Sequence, residues 1–508
     1  MKRVLRLLLA VLLSCSVFRL PAGPVRVQAK EDYNIYPMAC NAYEVDVLTT
    51  GGTFEKKGCY SDFNAAKTEM YKYGDGAVVR HSGSYSVTKI IAMSNGVVYS
   101  YPQRSNANTA VITQFMENIP NKKSTYVTVH REMAYKGTYS YNGSGDGWIR
   151  VKLNGFDGYI SLKNVDLVPM KAVSEDIPMT LGGNSTYMGG EDPFKVHIRQ
   201  AYYRVENSGA YRDLVYHCFS GWPSDGEYPA EWKFHIGPAA DWMNVGDVYF
   251  SDDGYTFCTD RYYSQIAGTY YGYYQFMPLR TRSDIPASVY DKFLESKDID
   301  GSSVLWGKGP VFVQAQEEFG MNAPSVFAMA CLESAYGTSQ YALQRNNLFG
   351  WSAFDSDPNQ ASWFKSTDQA IREHMGINLR GYVDINDYRF FGAHLGNKGS
   401  GINVKYAGDP YWGMKLAAIA YDIDKCANDY NGELTDYNRA SLGIVADDAR
   451  VDVRKAINGS VLYNTAYGAT YQKNHTVTIL SESSDWYEIQ STSYLEGGSV
   501  RSLQDTGL

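Results

Sequence analysis

Residues 322–337 read Asn-Ala-Pro-Ser-Val-Phe-Ala-Met-Ala-Cys-Leu-Glu-Ser-Ala-Tyr-Gly. Asn322 is a strong helix cap, Pro324 suits a first turn and Gly337 is a natural stop. Val326, Phe327, Met329, Ala330 and Leu332 make the body apolar, so the spacing predicts a largely buried helix with Glu333 in its last turn. A carboxyl placed there is poorly solvated and faces the negative end of the helix dipole. Both effects disfavour ionisation and raise its pKa. A carboxyl that keeps its proton near neutrality is what glycosidic cleavage requires of a general acid.

The chain continues with Asn346-Asn347-Leu348-Phe349-Gly350-Trp351. Further on come Gly396-Asn397-Lys398-Gly399-Ser400-Gly401-Ile402-Asn403 and Tyr406-Ala407-Gly408-Asp409-Pro410-Tyr411-Trp412-Gly413. With Glu333 to Ser339, these stretches resemble the glucosaminidase domain of bacterial autolysins, glycoside hydrolase family 73, over residues 305–428. The lead-in Tyr274 to Ser283 is similar too. The resemblance implies a lysozyme-like, mainly α catalytic domain with a groove. It implies hydrolysis of the β-1,4 bond after N-acetylglucosamine in peptidoglycan. No cofactor and no metal are expected. The resemblance places Glu333 as the acid and Tyr406 beside the scissile sugar. Asn347, Phe349 and Trp351 become one groove wall, and Asp409, Tyr411 and Trp412 further substrate contacts. Aromatic faces pack on sugar C–H surfaces, and an Asn amide can both donate to and accept from an acetamido group.

Hydrolysis usually employs a second carboxylate. Ser352 to Thr367 offers Asp355 and Asp357 but no Glu, and Asp368 and Glu373 follow on a helix. Either Asp355 or Asp357 activates water, or the substrate's own acetamido oxygen attacks; the sequence leaves both open. Ser366 to Gln369 is a capping box, and Ile371, Met375 and Leu379 form one stripe, predicting a helix over 367–381. Another is predicted over 414–427, with Leu416, Ile419, Ala420 and Ile423 inward. A Cys-His amidase built on Cys331 with His374 or His394 is a competing reading. Reactive thiols favour helix N-termini, and Cys331 sits near the opposite end. A catalytically weak wall-binding or adhesin protein is the other alternative.

Outward from this region, 508 residues exceed one ordinary domain. An apolar fraction of 44% with 20% charged residues argues for folded cores. Residues 1–29 carry five basic residues and no acid, so their removal takes the formal charge from −8 to −13. That balance argues against a nucleic-acid partner. Met1-Lys2-Arg3, the apolar run Leu7 to Phe18 and Val27-Gln28-Ala29 read as an export signal over 1–29. Leu12-Leu13-Ser14-Cys15 also resembles a weak lipoprotein box. The expected location is secreted or wall-bound, with no later membrane span.

Residues 30–118 read as a β-rich module with a short helix at Phe63 to Tyr71 and a hairpin at Asn95-Gly96. Residues 119–172 hold Gly147-Trp148-Ile149-Arg150-Val151-Lys152, the turn Asn154-Gly155 and Gly158-Tyr159-Ile160. This resembles the closing hairpin of bacterial Src-homology-3-like barrels. Residues 431–508 partly repeat it around Trp486. Such modules imply cell-wall stem peptides, with glycan strands, as partners. Residues 173–304 form a Tyr-rich β module without an assigned role, in which Tyr270 to Phe276 is a buried strand or an aromatic surface. The fold class is therefore multidomain, an α+β catalytic domain with mainly β accessory modules. Among the six cysteines after Cys15, proximity favours Cys40 with Cys59 and Cys218 with Cys258. No CxxC or HExxH spacing supports zinc.

Overall fold

The computed structural model describes residues 39–81, 89–100, 109–113, 124–128, 131–143, 147–181, 194–220, 228–351, 362–385, 387–439, 441–445, 451–464 and 476–490, with short strands at 495–496, 499–500 and 506–507. It combines helices with several antiparallel sheets. The export and lipidation motifs lie outside the described residues. No described helix is long and apolar enough to cross a membrane.

Near the N-terminus four strands pair in the order Phe54–Tyr60, Tyr43–Leu48, Ala77–His81, Lys89–Met93. The helix Phe63–Met70 begins where the Asp62 carboxylate accepts from the Ala65 amide. Cys40 and Cys59 form the expected disulfide. Cys218 and Cys258 do not: both are free and buried, on strands of different sheets.

A seven-stranded sheet follows, ordered Val165–Pro169, Gly96–Ser100, Glu132–Tyr141, Gly147–Leu153, Phe156–Ser161, Thr109–Thr113, Ser124–Thr128. The expected boundary at 118/119 falls inside this sheet, because strands from both sides of it pair and share one core. The Asn95-Gly96 hairpin is not formed. Neither residue has positive φ, and Gly96 pairs with Pro169 while Lys89–Met93 belongs to the preceding sheet. Asn154 and Gly155, at φ 40° and 90°, do make the two-residue turn between Gly147–Leu153 and Phe156–Ser161.

Another sheet is ordered Ala230–Pro238, Tyr211–Ser220, Tyr202–Ser208, Val248–Tyr249. The aromatic run ending at Phe276 is no strand: Tyr273–Phe276 is a short buried helix. The helical region contains Gly309–Phe319, Ala323–Glu333, Gln340–Arg345 and Trp412–Ala427. The helix expected over 367–381 is interrupted. Thr367–Glu373 passes into a π turn at His374–Asn378, and Arg380–Val383 resumes. Its stripe Ile371, Met375 and Leu379 is fully buried all the same. At the C-terminal end Ser441–Ile444, Thr476–Ser483, Trp486–Gln490 and Thr506–Gly507 form a four-stranded sheet.

Candidate active site

The helix Ala323–Glu333 starts as its sequence dictates, with the Asn322 side chain accepting from the Ser325 amide. It ends at Glu333 because the chain then turns through three left-handed residues, Ala335, Tyr336 and Gly337. A side chain at Gly337 would meet the backbone nitrogen of Leu305 at 2.9 Å. Such a turn stores strain where two of its residues carry side chains. Its geometry is held by Ser334, whose hydroxyl accepts from the Gly337 amide at 2.8 Å.

Glu333 Oε1 accepts from the Trp412 indole N–H at 2.8 Å. Burial pushes the Glu333 carboxyl above the usual carboxylate range, and the Asp409 charge adds to this; the Trp412 bond and Lys415 oppose it. Gly350 lies against the other oxygen, since a Cβ there would stand 3.8 Å from Oε2. Tyr406, on the one-turn helix Asn403–Tyr406, stacks on Trp412 with ring centroids 4.7 Å apart. Its hydroxyl is buried without a partner among the described residues. Lys398 fixes this loop by donating to the carbonyls of Asn403 (3.0 Å) and Ala407 (2.7 Å).

Trp351 stands nearly perpendicular to Tyr406, centroids 6.3 Å apart. Its indole N–H donates to His374 Nδ1 at 2.9 Å, and the His374 ring stacks on Phe349 at 3.6 Å. Burial lowers the His374 pKa to about 3, so the ring is neutral and can accept at Nδ1. Sequence reading considered His374 only as a thiol partner and missed this contact. The two residues are 23 apart, and no local pattern links them.

Other expected contacts are differently employed. Asn347 is buried, and its amide brackets the Trp351 backbone, donating to the carbonyl (2.9 Å) and accepting from the amide (3.1 Å). It shapes the wall from behind. Phe349 (4% exposed) and Trp412 (2%) are core residues whose edges support the site. Tyr411 turns away into a separate core with Tyr203 and Tyr216. Asp409 is paired with Lys415 at 2.5 Å. Burial works to raise it, but Lys415 and Arg131 outweigh burial and hold it below the usual range. Asp355 and Asp357 lie outside the described residues. Asp368 bonds Lys308 (2.7 Å) and Glu373 bonds Gln369 (2.6 Å).

The Cys-His arrangement is not present. Cys331 is fully buried, and burial pushes its thiol well above the ordinary value. His394 is held by Ser400 (3.2 Å) and Thr476 (3.1 Å).

The hairpin tip braces the loop that carries Tyr406. Asn154 donates to the Pro410 carbonyl (2.5 Å) and accepts from the Lys398 amide (3.0 Å), while the Gly155 amide donates to Asp252 (2.8 Å). Asn397 donates to the Asp253 carbonyl at 2.6 Å.

Residues 309–425 match the glucosaminidase family, described as mannosyl-glycoprotein endo-beta-N-acetylglucosaminidase. Two Streptococcus pneumoniae proteins, one of serotype 4 and one of a second strain, are provisionally named endo-beta-N-acetylglucosaminidases. Each is 30% identical over 270 residues, covering 53% of this chain. The matches span 37% and 35% of those proteins, little more than a third of their length. Among solved structures, a catalytic mutant of S. aureus autolysin E with the disaccharide NAG-NAM is 18% identical, with a TM-score of 0.23, over 32% of this chain and 77% of that one. A major bifunctional autolysin is 26% identical, with a TM-score of 0.24, over 32% and 70%. Residues 309–425 are thus a glucosaminidase domain, and the domain is that of a glycoside hydrolase.

Proposed function

We propose that this chain is an exported peptidoglycan hydrolase that cleaves the β-1,4 bond after N-acetylglucosamine, with Glu333 as general acid in a lysozyme-like groove. The observation that carries the reading is the state of Glu333: a half-buried carboxyl with a raised pKa, one oxygen oriented by Trp412 and the other without a donor among the described residues. Burial keeps its proton to higher pH than an exposed carboxyl would, and that proton goes to the departing sugar oxygen. Tyr406 stacks on Trp412 beside the acid, and Trp351 supplies an aromatic flank. His374 keeps Trp351 in that orientation.

The oxocarbenium-like centre then needs a nucleophile. Water activated by Asp355 or Asp357, or the substrate's acetamido oxygen, supplies it. Both acids lie between Trp351 and Ser362 in the sequence, and the Ser362 amide donates to the Trp351 carbonyl at 2.9 Å. Export rests on the basic, apolar and small-residue pattern of residues 1–29, with delivery to the wall or medium. The hairpin at Trp148 and its partial repeat at Trp486 serve as Src-homology-3-like wall contacts for glycan or stem peptide.

Digestion of purified sacculi followed by mass spectrometry of the products tests the reading. New reducing ends must be N-acetylglucosamine, and Glu333→Gln must slow their release about 100-fold or more. N-acetylmuramic ends would mean a muramidase, and anhydro-muramic ends a lytic transglycosylase.

A further inference from the structure

The C-terminal sheet turns one side onto the glucosaminidase domain, and the groups it offers there are polar. Thr476 and Thr478 stand two residues apart on the strand Thr476–Ser483, so their side chains leave it on the same side. Gln490, on Trp486–Gln490, is opposite Thr478 in the register and shares that side. All three are buried. Thr476 Oγ1 meets His394 Nδ1 at 3.1 Å, the Thr478 hydroxyl bonds the Thr281 hydroxyl, and Gln490 Oε1 accepts from the Arg282 amide at 2.9 Å. The chain leading into the sheet is fixed as well. Asp424, on the helix Trp412–Ala427, accepts from the amides of Thr435 (2.7 Å), Asp436 (3.0 Å) and Tyr437 (3.2 Å). Asp436 in turn accepts from the Asp284 amide at 3.0 Å.

Two of these contacts land on elements that lead to the acid. The His394 ring lies between Gly392 and Gly401, where an added Cβ would stand 2.6 Å and 2.8 Å from its carbons. The His394 carbonyl accepts from the Ile402 amide at 2.8 Å, and the Ile402 carbonyl accepts from the Tyr406 amide at 3.0 Å. Where the His394 ring sits therefore sets the path of the loop to Tyr406. Tyr406 stacks on Trp412, which donates to Glu333. On the other route, the Thr281 carbonyl accepts from the Asn322 side chain at 2.9 Å. Asn322 caps the helix that ends at Glu333. The routes are laced together: the Asn322 amide donates to the Leu279 carbonyl (2.6 Å), and the Leu279 amide to the Ala393 carbonyl (2.6 Å).

We propose that Thr476 and Thr478 are positioning residues of the hydrolase, through which the C-terminal sheet holds the Tyr406 loop and the Glu333 helix in register with each other. The proposal rests on the hydrolase reading above. An apolar contact tolerates sliding, because one carbon surface serves as well as the next. A buried hydroxyl facing a ring nitrogen does not: moved off its partner, it loses the bond and finds no water in exchange. Thr476 acts through His394 on the loop, and Thr478 acts through Thr281 and Asn322 on the helix. The two routes meet at the bond between Trp412 and Glu333, whose geometry requires both arms to be in place.

The test uses the full chain. Thr476→Val keeps the shape and removes the hydroxyl, whereas Thr476→Ser keeps the hydroxyl. In Thr476→Val, kcat on purified sacculi should fall about tenfold while KM stays within about twofold. The alkaline limb of the rate profile should move to higher pH, because a loosened Trp412 bond lowers Glu333 less. The Trp412 indole proton, assigned with Trp412→Phe, should shift in NMR spectra of the tryptophan-labelled protein. Thr476→Ser should recover at least half of the lost rate. Thr478→Val reads the second route with the same measurements and stands in should Thr476→Val not fold. Wild-type kcat with an unmoved indole in either folded valine variant, or a loss in Thr476→Ser equal to that in Thr476→Val, overturns the proposal. An indole that shifts in the valine variants of a chain whose wild type releases no N-acetylglucosamine ends would instead overturn the hydrolase reading and leave the brace standing.

Discussion

Glu333 and Asp409 stand near enough for their charges to interact, and both lie at the same long helix, Trp412–Ala427. Burial works to raise both. The helix gives Glu333 an indole N–H from Trp412 and gives Asp409 an ammonium from Lys415. A neutral donor orients a carboxyl without neutralising it; a cation holds the charged form. So one corner keeps a proton available and the other keeps a fixed negative charge, which itself helps raise Glu333. The division of labour is set by which side chain of the helix's first turn each acid meets, Trp412 or Lys415.

The most damaging way to break this contrast is Glu333→Gln. It keeps the shape and removes the proton, so hydrolysis of sacculi should fall about 100-fold or more. The melting temperature at pH 7 should not drop, because the raised acid is a cost when ionised. In the wild type its contribution to stability is full below the ordinary 4.5 and is lost as pH rises through its higher folded value. Asp409 has the opposite sign: its contribution is present above 3.8 and lost as pH falls through its lower folded value. Differential scanning calorimetry across pH separates the two.

His374→Ala sharpens the comparison by disturbing the wall and neither acid. Loss of the acceptor for Trp351 should cost about 1–2 kcal/mol, read as roughly a tenfold rise in KM with a smaller change in kcat. The Trp351 indole proton should shift in NMR spectra. His374→Asn or His374→Gln can retain an acceptor and should recover part of the loss. Because burial takes His374 down to about 3, the wild-type rate should show no His374 limb near pH 6–7.

Lys415→Met removes the difference between the corners. Glu333 loses a lowering influence and Asp409 its cation, so the alkaline limb of the rate profile should move to higher pH. Stability should fall by an amount between the ~0.5 kcal/mol of an exposed pair and the ~3 kcal/mol of a buried one. The smallest effect is Cys331→Ala, about 1 kcal/mol or less in stability with activity per folded molecule unchanged. Urea denaturation alongside the rate assay measures both.

Local chemistry was readable where local contacts decide. Asn322 and Ser366 cap their helices, and Asn154-Gly155 turns its hairpin. The same dipeptide at 95–96 fails because Gly96 is claimed by a strand some seventy residues later. Glu333 could be found because its helix announces itself. Tyr411 could not be placed, since the core that takes it comes from residues 203–216, and a tyrosine beside a tryptophan looks the same facing either way. The capping box at Ser366 fixed where the next helix begins and held no information on the π turn at His374.

The hairpin tip at Asn154 also orders events in time. It bonds Pro410 across 256 residues of chain, and synthesis delivers the N-terminal partner first. The brace exists as a finished turn long before the loop it clamps, while a contact of such separation carries a large closure cost. The groove is therefore among the last parts of this molecule to become whole, and a chain released or cut before residue 410 holds the carboxyl of Glu333 without the loop that frames it.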